Sequence, residues 1–172
     1  MMNDDLAELR REKYVKEIRD LFPDGIERLD VLCRTIAGLL ECEGALISLS
    51  EGSLVFALGV HGLPFRTVSR DRPRRFLGDM ELESRSLTDA QRYEFYSDRH
   101  NLFIDYVCRV PVFLDGTPVG SLVVFDHRPR LDGLAQQQWE GMRAAAELAE
   151  KILNRSSVIK AHLAGLAELI VR

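Results

Sequence analysis

The sequence predicts an α+β domain, and three observations carry the prediction. Apolar residues recur at helical spacing near both ends of the 172-residue chain, they alternate with a period of two in stretches between, and Asp115-Gly116 supplies a tight-turn pair between two of those stretches. A chain of 172 residues fits a single core with short appendages, since one core usually holds on the order of 100 to 200 residues.

Between Asp4 and Leu21, the residues Leu6, Leu9, Tyr14, Ile18 and Leu21 mark an amphipathic leader helix, stopped by Pro23 and treated as a segment of its own over residues 1–22. After Gly25 a second helix carries Ile26, Leu29, Cys33, Ile36 and Leu40 on one stripe, widened by Leu32 and Leu39, and ends near Cys42 to Gly44. The period then changes to two. Ala45, Ile47 and Leu49 alternate with Leu46, Ser48 and Ser50, Glu51-Gly52 turns the chain, and Leu54, Phe56 and Leu58 return as a second strand.

Val60 to Ile104 has poor periodicity and frequent Gly, Pro and charged residues. At about 45 residues it is too long for a plain loop, so it reads as a functional insertion over the sheet. A short strand is expected near Arg66 to Ser69, and a short helix around Thr88 to Tyr96 with Thr88 as its cap. In the next unit Tyr106, Cys108, Val110 and Val112 alternate with Val107, Arg109, Pro111 and Phe113, Gly116 turns, and Val119 to Phe125 comes back. Apolar residues on both faces, and the unbroken run Leu122 to Phe125, place this hairpin centrally in a sheet covered on both sides. Beyond Pro129, Asp132 is positioned to cap a helix through Trp139, Met142, Ala145, Leu148 or Ala149, and Ile152. The same spacing continues through Val158 or Ile159, Leu163, Leu166 and Ile170, over an extension at residues 156–172. Unbroken, the element is roughly 60 Å long at 1.5 Å per residue, more than one domain can bury. The alternative is a fold-back at Asn154 to Ser157.

Composition narrows the function classes. With 46% hydrophobic and 29% charged residues the chain is globular, and its longest apolar runs fall far short of the roughly 20 residues that cross a bilayer. The acidic, amphipathic start does not read as a signal peptide, so a cytoplasmic location is expected. Cys33, Cys42 and Cys108 are too few for a disulfide framework and read as free thiols. A net charge of -4 predicts no generic binding to nucleic acid or anionic membrane.

The order helix, hairpin, irregular middle, hairpin, helix resembles that of the GAF domain. Ile26-Glu27-Arg28-Leu29-Asp30-Val31-Leu32 looks like the family's first core helix, and Ala45-Leu46-Ile47-Ser48-Leu49 like its first strand. Tyr106-Val107-Cys108-Arg109-Val110-Pro111-Val112, followed by Asp115-Gly116-Thr117-Pro118-Val119-Gly120-Ser121-Leu122-Val123-Val124-Phe125-Asp126, resembles its paired-strand signature with a glycine turn. His127-Arg128-Pro129-Arg130 is similar to the linker before the last helix. The likeness spans residues 24–155. It implies a central antiparallel sheet of five to six strands, profilin-like and related to PAS domains, with terminal helices on one face. A small-molecule pocket, roofed by the variable middle, would lie on the other, in a domain that senses and rarely catalyses.

Some GAF domains hold a tetrapyrrole through a middle-region cysteine, but Val60 to Ile104 contains none, so a covalent bilin is not expected. The same absence argues against the family's free methionine sulfoxide reductases. His61, His100, His127 and His162, spaced by 39, 27 and 35 positions, form no close pair of the kind that marks a metal site, and no metal is expected. His100 is the one option as an axial haem ligand; no cofactor is otherwise predicted. Arg66 to Arg75 holds five arginines and one acid, with Asp79, Glu81 and Glu83 close behind, and reads as a charged hairpin that neutralises itself, with an anion clamp as the sharper alternative. Arg109, inside an apolar strand, needs water, a carboxylate such as Asp105, Asp126 or Glu81, or an anionic ligand. Phe56, Phe76, Tyr93, Phe95, Tyr96, Phe103 and Tyr106, with Arg109, form the candidate pocket lining.

No phosphate-binding glycine loop, nucleophile elbow or paired zinc motif is present, so no enzymatic activity is expected. The function expected is a sensor or regulatory module in signal transduction that binds a small molecule, signals to a downstream protein, and forms a homodimer through Leu148, Ile152, Ile159, Leu163, Leu166 and Ile170. The alternatives are a dimerisation adaptor without a ligand and, third, a redox enzyme of the methionine sulfoxide type.

Overall fold

Alternation between Ala45 and Leu49 and between Tyr106 and Val112 gives each strand one set of side chains for the helices and another for the opposite side. The computed structural model describes residues 2–51, 54–64, 66–69, 83–86, 106–130 and 132–171. Within them the chain forms α1 (Met2–Leu21), α2 (Glu27–Leu39), β1 (Gly44–Glu51), β2 (Leu54–His61), β3 (Thr67–Ser69), β4 (Glu83–Ser86), β5 (Tyr106–Leu114), β6 (Thr117–Asp126) and α3 (Gln136–Val171). Among the described residues six strands make one sheet in the order β3-β2-β1-β6-β5-β4, every pairing antiparallel. Both strands of the β5–β6 hairpin therefore have a neighbour on each side. The segment expected as a helix around Thr88 to Tyr96 lies outside the described residues.

Asp115 and Gly116 turn the hairpin with φ of 49° and 75°, the left-handed pair that matches the twist of two antiparallel strands. At Gly120 the reason for glycine is different. A Cβ there would collide with the carbonyl oxygen of Ser48 on β1, so any larger residue would push β1 and β6 apart.

One continuous core joins the helices to one sheet face. Val15 and Ile18 of α1, Leu29, Cys33 and Ile36 of α2, and Met142, Ala149 and Leu153 of α3 pack with Ala45, Ile47, Leu49, Tyr106, Cys108, Val110, Leu122 and Val124. Each large apolar side chain buried there contributes roughly 1.5–3 kcal/mol. A smaller cluster lies on the opposite face: Val107, Val123 and Phe125, with half-buried Leu46 and Leu63 against them.

Two polar clasps hold the helices in place. Asp30 of α2 accepts a hydrogen bond from Val60 N at 2.9 Å and pairs with the Arg66 guanidinium at 2.5 Å. Arg130, leading into α3, donates to the carbonyls of Leu40 and of Glu41, the latter at 3.0 Å, just past the end of α2, and lies over the Tyr106 ring.

Asp132 is not the cap of α3. It is exposed in a turn, the chain passes through Gly133 at φ 66°, and the helix begins at Gln136, where Gln138 Oε1 accepts from Ala135 N at 2.9 Å. α3 then runs without a break through Asn154 to Ser157. Among its described side chains none beyond Leu153 is buried.

Candidate functional site

β5 decides the character of the sheet face opposite the helices. In an antiparallel pair, directly opposed residues project to the same side. Val107 stands opposite Phe125 and Arg109 opposite Val123, so Arg109 belongs to the face of the smaller apolar cluster. It is 2% exposed, and its backbone register on the other side is with Glu83 of β4. A guanidinium cannot be neutralised by losing its proton, so burial there requires hydrogen-bonding or anionic company.

The other predicted pocket residues divide. Tyr106 is fully buried on the helix side, two positions before Cys108 on the same stripe and beneath the Arg130 guanidinium. Phe56 also belongs to the helix-side core. The β1–β2 pairing slips between Ile47 and Ser48, after which Phe56 stands opposite Leu49, a helix-side residue. Phe56 forms part of an open groove of about 490 Å³ with Lys16, Arg19, Asp20, Pro23 and Thr67. Neither ring shares a face with Arg109. Phe76, Tyr93, Phe95, Tyr96, Phe103 and His100 lie outside the described residues.

At the candidate dimer surface, Leu148 is 48% and Ile170 84% exposed, while Ile152 is half-buried against the core. Ile159, Leu163 and Leu166 lie within α3, and their side chains are outside the description. Val158 and Leu169 on α3, and Leu6 and Leu9 on α1, are further exposed apolar residues.

The cysteines are buried or half-buried, all packed with the helix-side core. Burial pushes the thiols of Cys33 and Cys108 up to about 12, and burial also raises that of Cys42, against the pull of Arg130. Protonated thiols at neutral pH are poor nucleophiles and poor metal ligands.

Folding also assembles a group that sequence spacing does not reveal. Antiparallel pairing of Gly44 with Phe125 brings Glu43 beside the end of β6. There His127 Nδ1 lies 2.5 Å from Glu43 Oε2 and 3.5 Å from Asp126 Oδ1. The signal would have been the β1–β6 register, because the partners are 84 positions apart and two of them are carboxylates.

No protein-family model matches the chain, and no curated protein matches it. Solved structures do. The cyanobacteriochrome receptor PixJ superposes with a TM-score of 0.59 at 15% identity, over 81% of this chain and 98% of that one. The GAF domain of an Acinetobacter phosphoenolpyruvate-protein phosphotransferase gives 0.54 at 14% identity, over 92% and 95%. Free methionine-R-sulfoxide reductase from Neisseria meningitidis, in complex with its substrate, gives 0.57 at 13% identity, over 83% and 87%. The chain has the GAF-like fold.

Proposed function

We propose that this GAF-like fold serves as a cytoplasmic sensor or regulatory module, binding a small anionic molecule on the sheet face opposite the helices and dimerising through its terminal helices. The observation that carries the reading is a second apolar cluster, Val107, Val123 and Phe125, on the sheet face that the helices do not use, with the charged Arg109 on the same face. A planar guanidinium on such a floor selects carboxylates or phosphates, and the apolar surroundings strengthen the attraction.

Among the described residues no helix is long and apolar enough to cross a membrane. A receptor, a domain of a phosphotransferase and a reductase all occur among the similar solved structures, so the fold alone leaves sensing and catalysis open. The thiols favour sensing: Cys33 and Cys108 stay protonated far above neutral pH and face the helices, away from Arg109. A ligand that repositions β5 has a direct route to α3, because Glu150 accepts a hydrogen bond from Phe113 N at 2.9 Å. The exposed apolar residues of α3 and α1 would then carry the change to a second copy of the chain.

A second reading is a dimerisation adaptor whose face is filled by its own side chains, and the 2% exposure of Arg109 favours it. Thermal-shift measurements with a panel of organic acids and phosphorylated metabolites separate the two. At a ligand concentration about 100 times Kd, binding stabilises by roughly 2.7 kcal/mol, which raises Tm by about 5–10 °C in a chain of this size. The shift should vanish in Arg109→Met. No shift in the unaltered protein across the panel would favour the adaptor.

A further inference from the structure

We infer that Glu43, Asp126 and His127 form a site for one divalent transition-metal ion of the zinc class. Their donor atoms all lie within 4.8 Å of one another. Tetrahedral zinc bonds of roughly 2.0–2.2 Å hold donors about 3.4 Å apart, so the short Glu43–His127 contact has to open and the wider separations to close by about 1 Å.

The backbone explains the convergence. β6 ends at Asp126 and the chain bends at His127, so the two consecutive side chains lie together, His127 against Glu43 and Asp126 within 4.8 Å of it, rather than alternating across a sheet. Asp126 is oriented by Arg128 N, which donates at 3.1 Å to Oδ1, the oxygen that also faces His127.

Charge points the same way. Asp126 is 4% exposed, and among the described residues neither it nor Glu43 forms an ion pair with a lysine or arginine. Two carboxylates meet here, one of them buried, and a divalent ion would draw on both. Nitrogen with two oxygens suits zinc, nickel or copper better than calcium. The exposed His127 and Glu43 leave one side open for water ligands. An ion here would tie the α2–β1 junction to the β6–α3 connection, the two segments that Arg130 already links.

The test uses the full chain stripped with a chelator. Zinc titrated by calorimetry should bind at one equivalent, tenfold or more weaker in each of Glu43→Gln and His127→Gln, with no binding in the double variant. Cobalt in place of zinc should give a spectrum without a thiolate charge-transfer band. In the unaltered protein, zinc should shift the ring resonances of His127, a readout that holds even if a variant fails to fold. No uptake, uptake retained by the folded double variant, a thiolate band, or unmoved His127 resonances would each overturn the site.

Discussion

Cutting the chain after Arg155 separates the packing role of α3 from the dimerising role proposed for it. The helix has 36 residues, about 54 Å at 1.5 Å per residue. Its docked part ends at Leu153, which is 1% exposed, and the final half carries Val158, Leu169 and Ile170 at 62%, 70% and 84% exposure. Leu153→Ala removes a core side chain and should cost about 2–5 kcal/mol, lowering Tm by roughly 5–15 °C. Ile170→Ala should stay within about 0.5 kcal/mol of the unaltered protein, as surface changes do. Melting is followed by circular dichroism at low chain concentration, where linkage to association does not contribute. Light scattering at higher concentration should give a dimer for the full chain and for the folded Leu153→Ala variant, and a monomer for the chain ending at Arg155. A shortened chain that keeps its dimer mass, or an Ile170→Ala variant that melts as early as Leu153→Ala, would refute this division of the helix.

At Asp30, substitution by Asn keeps an acceptor for Val60 N and weakens the pair with Arg66, both of whose side chains are 29% exposed; the loss in urea unfolding should be about 1 kcal/mol or less. Asp30→Ala loses both contacts and should cost about 2–3 kcal/mol, and equal losses for the two variants would mean the Val60 bond contributes nothing. Alkaline stability follows from the thiols. Cys33 and Cys108 sit near 12 in the folded state against an ordinary 9.0, so above pH 9 the unfolded chain gives up protons that the folded chain keeps. Their stabilisation is complete below pH 9 and is lost as the pH rises from 9 toward 12. Unfolding free energies measured over that range should fall more steeply for the unaltered protein than for Cys33→Ala/Cys108→Ala, and parallel curves would contradict the burial argument.

Sequence periodicity reports on local geometry, and it reads most clearly where local geometry decides the outcome. The stripe from Ile26 to Leu40, the alternation from Tyr106 to Val112, the Asp115-Gly116 turn and the unbroken three-four spacing through Ile170 all correspond to elements of the structure. The side of the sheet that a residue faces was less legible. Phe56 reaches the helix core through a register slip at Ile47/Ser48, which no residue type announces. Tyr106 groups with neighbouring aromatics by sequence proximity, although in the structure it shares its stripe with Cys108 and Val110. Asp132 looks like a cap, but Gly133 at positive φ delays the helix to Gln136. The Glu43, Asp126 and His127 group exists only because β1 runs against β6, a pairing between distant segments that histidine spacing cannot show.

The proposed division of the sheet, one face for helices and the other, floored by Arg109, for an anionic guest, is open to native mass spectrometry of freshly purified protein. The expected result is a dimer whose mass exceeds two chains by small acidic molecules, one per chain, and a bare dimer for Arg109→Met. Two chains with no added mass in the unaltered protein, or an identical adduct in the variant, would contradict it.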